Sequence, residues 1–137
     1  MNDYSHPKDA ITIYTNPADD LTVTYADTGE VTDRLYNLDY VAEKDKYSLF
    51  LNNIHPLVEM ENSTAASQDT LMLIKDSYAN SMVPFLAHHY NKIYVLDTRY
   101  YRDGPSSFLA EHGDITDVLL LYNMNTLDGD TGIRGIY

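Results

Sequence analysis

Leu71-Met72-Leu73-Ile74-Lys75-Asp76-Ser77-Tyr78-Ala79-Asn80-Ser81 decides how this chain is read. Four consecutive apolar residues run into a lysine, and turn and cap residues follow at once. A continuous apolar run of this length is the pattern of a strand covered on both faces. Residues 93–97 (Ile-Tyr-Val-Leu-Asp) and 118–122 (Val-Leu-Leu-Leu-Tyr) repeat it. Between the first two runs, Tyr78, Met82, Phe85, Leu86 and Tyr90 fall on one helical stripe. Pro84 lies inside that stretch, so the helix kinks there or starts properly near Ser81. Residues 106–112 read as a short helix, with Ser106 or Ser107 as its cap and Gly113 as its end. The order strand–helix–strand–helix–strand predicts a parallel sheet over residues 70–125, with right-handed crossovers.

Upstream the pattern changes. Residues 11–15 and 21–25 are β-branched and alternating, and Asn16-Pro17-Ala18-Asp19-Asp20 between them is turn chemistry, so a hairpin is expected there. Thr28-Gly29-Glu30 is a second turn. Residues 35–41 fit helix or strand. Residues 47–51 and 57–60 read as short strands, and residues 62–69 as a polar loop. The loop opens with Asn62-Ser63-Thr64, a glycosylation tripeptide that is common by chance. Residues 1–10 read as a flexible arm, and residues 11–61 as a hairpin-rich portion of one domain spanning residues 1–137, which is taken as a truncated piece of a longer protein. The N-terminal portion adds antiparallel strands or a small lobe.

Composition narrows the function classes. A length of 137 residues with 44% hydrophobic and 22% charged residues describes one globular domain. A formal net charge of -12 argues against nucleic acid and against an anionic membrane surface. The absence of cysteine excludes disulfides and thiolate metal sites. No stretch has the length of a membrane helix, and no signal-peptide pattern opens the chain. No cofactor and no metal are expected. Asp128-Gly129-Asp130-Thr131-Gly132 matches only part of a calcium-loop spacing and is taken as a flexible end. Thirteen tyrosines suit either sheet positions or sugar contacts.

In an open parallel sheet, sites form beyond the carboxyl ends of the strands. Three polar loops leave those ends: residues 75–81, 97–102 and 122–125. Ser77 stands at the first strand-to-helix turn, where a hydroxyl is exposed beside the N–H groups of the first turn. That is a nucleophile's position, although Gly-x-Ser-x-Gly is absent. Asp76 and Ser77 are equally good N-caps, and capping alone would justify either. A serine nucleophile needs a base. His6 is in the arm, His88 and His89 lie at the far end of the helix, and His112 is at another helix end. Only His55, in a loop before Pro56, remains a candidate base, with a plain turn histidine as the alternative. Arg99 follows a central strand and could bind a carboxylate or polarise a carbonyl; the alternative is an ion pair with Asp76, Asp97 or Asp103.

Residues 73–81, 83–87 (Val-Pro-Phe-Leu-Ala) and 93–97, with Arg99-Tyr100-Tyr101, resemble the DHHW protein family. Residues 118–123 match its closing strand. Residues 47–51 with Asn53-Ile54-His55-Pro56 look like the segment before its Asp-Ser motif. The resemblance covers roughly residues 47–125. It implies an α/β fold with a three-layer, SGNH-hydrolase-like or flavodoxin-like parallel sheet in the C-terminal half and antiparallel hairpin strands before it. It also implies a bacterial, extracytoplasmic esterase or O-acetyltransferase acting on polysaccharide, with a membrane O-acyltransferase system as acyl donor. Ser77 would then be the nucleophile, and Tyr78 would offer its backbone N–H to the oxyanion. Asn80, Arg99, Tyr100 and Asn123 would bind substrate.

The departures are specific. The chain has no Asp-His-His-Trp and no tryptophan, so the catalytic Asp and His of the family are missing. Lys75 stands where many SGNH enzymes carry glycine. The chain alone is therefore expected to be inactive or nearly so. A second reading is a non-catalytic polysaccharide-binding or partner-docking domain, with Tyr78, Tyr100, Tyr101 and Tyr122 lining a groove. A third is a flavodoxin-like or receiver domain resting on Asp76 and Asp97. A homodimer formed through exposed sheet edges is a candidate assembly.

Overall fold

The computed structural model describes residues 10–129. The expected arm falls outside them except for its last residue, and so do His6 and the last three residues of the calcium-like loop. Six strands form one sheet: β1 (Leu21–Tyr25), β2 (Glu30–Thr32), β3 (Leu57–Asn62), β4 (Thr70–Lys75), β5 (Lys92–Asp97) and β6 (Asp117–Leu121), ordered β2-β1-β3-β5-β4-β6. β5, β4 and β6 are parallel, and β3, β1 and β2 continue the sheet antiparallel. The sheet is therefore mixed, and the N-terminal strands extend it rather than forming a lobe.

All three apolar runs are parallel strands, as their sequence requires. β4 lies between β5 and β6, and each of its six residues is buried. Its side chains alternate between two clusters. Leu71 and Leu73 join Val23, Met60, Ile93, Val95, Val83 and Ala87, whereas Met72 and Ile74 join Tyr94, Leu96 and Phe108. α1 (Val83–Leu86) thus packs on one face of the sheet, and α2 (Pro105–Glu111) on the other.

Four local expectations are corrected. The hairpin of β1 is made with β2 through the Gly29 turn, where φ is +72°, and residues 11–15 form no strand. The Asn16 turn itself is present, with the Asp19 N–H donating to the Asn16 carbonyl at 3.1 Å. It leads into β1 instead of joining two strands, because β1 takes β3 and β2 as neighbours. Residues 47–51 are not a strand; Lys46–Leu49 is a 3-10 turn, and only the Tyr36–Phe50 bridge is sheet-like.

The helical stripe holds only at its far end. Leu86 and Tyr90 pack against the core, but Tyr78, Met82 and Phe85 are 64%, 47% and 45% exposed, while Ala79, Val83 and Ala87 are buried. Small residues let the chain lie close on the sheet, and the chain is a 3-10 turn (Ser77–Ser81) followed by one α-turn with Pro84 near its start. α2 begins at Pro105 behind Gly104, whose φ is +77°, so neither Ser106 nor Ser107 caps it. Asn62 is 1% exposed and its amide donates to the Ala87 carbonyl at 2.9 Å, which leaves the glycosylation tripeptide without an accessible acceptor.

Candidate functional site

The carboxyl ends of β4, β5 and β6 open on one side of the sheet, and the loop before β3 joins them there, since the Asp97 N–H donates to the Pro56 carbonyl at 3.0 Å. Asp76 organises this corner. Its side chain is buried at 1% exposure. One oxygen accepts from the Tyr78 N–H at 3.0 Å, which caps the 3-10 turn. The other accepts from the Asn123 N–H at 2.8 Å and the Thr126 hydroxyl at 2.6 Å. One carboxylate therefore ties the loop after β6 to the loop after β4.

This settles which residue caps. Asp76 does, and Ser77 is left half-buried at the first position of the turn, with no hydrogen-bond partner among the described residues for its hydroxyl. The Tyr78 N–H is already committed to Asp76, so it does not stand free for an oxyanion in this arrangement. Asn80 is 2% exposed; its amide nitrogen donates to the Asn53 carbonyl at 3.2 Å, and its Oδ1 is buried without a partner. Tyr47 braces the same turn. Its hydroxyl donates to the Tyr78 carbonyl at 2.7 Å and accepts from the Ser81 N–H at 3.2 Å.

Beside Ser77 lies a buried charge cluster. Lys75 and Asp97 are register partners at the ends of β4 and β5, with Nζ 3.3 Å from Oδ2. Arg99 holds the same carboxylate through Nη2 at 2.6 Å, Nε at 2.9 Å and its backbone N–H at 3.2 Å. Of the ion-pair partners considered for Arg99, Asp97 is thus in use. Burial works to raise the Asp97 pKa, but the Arg99 hydrogen bonds and the charges of Lys75 and Arg99 outweigh it and hold it below the ordinary carboxylate value. For Lys75 burial wins over the attraction of Asp97, and its pKa is lowered.

Of the other expected site residues, Tyr100 is 53% exposed and lies under the Arg99 guanidinium, 5.4 Å from centroid to Cζ. Asn123 contributes its backbone N–H to Asp76 and its side-chain oxygen to the Asn125 N–H. His55 is 8% exposed; Nδ1 lies 2.7 Å from Asp27 Oδ1, and Nε2 lies 3.0 Å from the Asn52 carbonyl. Its ring packs on Tyr25, with centroids 4.3 Å apart. Burial, with Glu30 adding to it, pushes the Tyr25 phenol up to about 12. Both His55 nitrogens are therefore occupied, and neither is bonded to the Ser77 hydroxyl. His88 pairs with Asp19 at 3.3 Å, and His112 stacks on Phe108. Tyr101 packs edge-on against Phe108, and the Tyr122 hydroxyl lies 2.9 Å from that of Thr98.

Sequence reasoning missed Asp27, Tyr47 and Thr126 as partners at this corner. No local pattern marks a residue that reaches a loop 28, 31 or 50 positions away. Among the described residues no group of carboxylates and histidines could hold a metal ion, and no helix is long and apolar enough to cross a membrane.

The fold and this corner define a mixed α/β domain built on one six-stranded sheet. No family model matches the chain, and no curated protein matches it. Among solved structures, it is similar to a DHHW family protein from Eubacterium siraeum, at 28% identity and a TM-score of 0.71 over 88% of this chain and 40% of that one. It is also similar to Bacillus cereus PatB1, solved with a sulfonyl adduct and without it. Each PatB1 structure shows 26% identity and a TM-score of 0.66 over 85% of this chain, covering 40% and 39% of PatB1 respectively. The resemblance to the DHHW family carried by residues 73–101 is thus supported in three dimensions. The chain spans about two fifths of the length of these structures.

Proposed function

We propose that this chain is the serine-bearing part of an SGNH-like acyl-transfer domain, with Ser77 as the acyl-accepting nucleophile. One observation carries the reading: Asp76 takes the capping role, so the Ser77 hydroxyl at the end of a central parallel strand is without a hydrogen-bond partner among the described residues. The likeness to PatB1 supports it, because a sulfonyl group becomes an adduct by bonding to an activated nucleophile. In the reaction, Ser77 Oγ attacks an ester carbonyl and gives its proton to a base. The carbonyl–alkoxide bond then breaks, and the proton goes to the departing alcohol. A sugar hydroxyl or water takes the acyl group from Ser77 in the reverse sequence.

Among the described residues no base is seen to bond the Ser77 hydroxyl. His55 is held by Asp27 and the Asn52 carbonyl, and the other described histidines are bonded elsewhere or remote from Ser77 in sequence. Turnover by the 137-residue chain is therefore low, and the natural setting is an extracytoplasmic bacterial protein modifying polysaccharide with acyl groups from a membrane O-acyltransferase. A second reading, sugar binding without turnover, is favoured by the exposure of Tyr78 and Tyr100 beside the same corner. The test is exposure to a sulfonyl fluoride and to an activated acetate ester, followed by peptide mass spectrometry. Labelling concentrated at Ser77 and absent in Ser77→Ala supports acyl transfer. Labelling of Ser77 no greater than that of the other exposed serines, with binding of acetylated polysaccharide lost in a Tyr78→Ala/Tyr100→Ala variant, favours the second reading.

A further inference from the structure

Residues 51–53 pass through three successive left-handed positions. Leu51, Asn52 and Asn53 have φ of +54°, +54° and +84°. Asparagine tolerates that region, leucine rarely adopts it, and non-glycine residues held there carry a strain cost. The surroundings keep the run in place. Leu51 is 1% exposed, and its N–H donates to the Leu35 carbonyl at 3.0 Å. The Asn37 amide donates to Asn52 Oδ1 at 2.7 Å, and the Asn53 N–H donates to the Ser48 carbonyl at 2.8 Å. The two carbonyls of the run then part. That of Asn52 meets His55 Nε2, and that of Asn53 accepts from the Asn80 amide in the Ser77 turn.

Asn80 accepts a second cost at the same contact. Its Oδ1 is buried without a partner among the described residues, so the bond to Asn53 is what orients the side chain. Side chains three residues apart on a 3-10 turn eclipse each other, so Ser77 and Asn80 share one line of the turn Ser77–Ser81. An α-turn advances about 100° per residue instead of about 120°, and relaxation to that form would swing Ser77 off the line. We propose that residues 51–53 and Asn80 are positioning residues for Ser77. The left-handed run aims the Asn53 carbonyl, the Asn80 amide grips it, and the turn keeps its 3-10 form. The inference rests on the acyl-transfer reading of Ser77 for its purpose, and not for its geometry.

Asn53→Gly and Asn53→Ala remove the same side-chain amide and differ in whether a φ near +84° is tolerated. The test compares them with Asn80→Ala in the 137-residue chain. Two quantities are read: the rate of sulfonyl fluoride labelling at Ser77, and hydrogen exchange at the Ala79 and Met82 amides that close the turn. Exchange is scaled to the β4 amides, which report the fold as a whole. Asn53→Gly is expected to stay within about twofold of the unaltered chain, whereas Asn53→Ala and Asn80→Ala label about tenfold more slowly and exchange faster in the turn. The double variant Asn53→Ala/Asn80→Ala is expected to lose no more than either alone, since both break one contact. Equal effects of glycine and alanine at position 53, additive losses in the double variant, or altered turn exchange with unaltered labelling overturns the proposal. If the unaltered chain labels Ser77 no faster than its other serines, the acyl-transfer reading fails, and the exchange pattern alone decides whether residues 51–53 position the turn.

Discussion

Lys75 Nζ lies 3.3 Å from Asp97 Oδ2 across two adjacent parallel strands, and both side chains are almost wholly excluded from solvent. Asp97 is shared with Arg99, whereas Lys75 has no second carboxylate at bonding distance among the described residues. The two partners are therefore unequal. Asp97→Asn leaves a buried ammonium uncompensated and is expected to cost about 3–5 kcal/mol. Lys75→Met keeps the Asp97–Arg99 pair, removes the desolvation cost of the ammonium, and is expected to cost less than about 1 kcal/mol or to stabilise. Urea unfolding of both variants checks the ordering, and equal losses would contradict it.

The same carboxylate sets an acid response. Its pKa is held below the ordinary value, so its contribution to stability is complete above the unfolded-state value of about 3.9 and is lost as pH falls through the lower folded-state value. Stability should therefore drop as pH is lowered from about 4. In Asp97→Asn this part of the acid limb should be flatter, as read from urea midpoints at successive pH values.

Asp76 and Ser77 are neighbours with opposite expected phenotypes. Asp76→Ala removes a cap and two bonds to the loop after β6, and is expected to cost about 2–4 kcal/mol. Ser77→Ala removes a hydroxyl that has no partner among the described residues and is expected to change stability by less than about 0.5 kcal/mol. Thermal unfolding of the pair distinguishes a scaffold residue from one retained for chemistry. A large loss in Ser77→Ala would assign the serine a structural role instead.

Tyr47→Phe removes one donor and one acceptor that brace the turn carrying Ser77. The expected cost is about 1–2 kcal/mol. Faster hydrogen exchange is expected at Ser81, whose N–H loses its acceptor. Unchanged exchange there would show that the turn holds its shape without Tyr47.

The three buried strands were legible because each is a run of consecutive apolar residues, and such a run has to be covered on both faces wherever it lies. β3 was legible for a related reason. The hairpin lies on the other side of β1 from the one its sequence suggests, because residues 11–15 alternate as well as β2 does and local pattern cannot say which neighbour a strand chooses. Of the stripe Tyr78, Met82, Phe85, Leu86 and Tyr90, only Leu86 and Tyr90 pack against the core, because side-chain size does not by itself decide burial. The first turns pack through Val83 and Ala87, and Ala79 is buried beside them in the chain.

By itself the sequence determined the central strands, the turn at which Ser77 sits, the likeness to the DHHW family and the absence of its naming motif. These depend on the order of residues within short windows, where sterics and solvation act locally. Only the tertiary structure decided that Asp76 rather than Ser77 caps the turn, that Asp97 gathers Lys75 and Arg99, that His55 is held by Asp27, and that β6 lies open at the edge. Each of these is a contact or a vacancy between segments distant in the chain. Which groups meet there is set by the packing of the whole sheet.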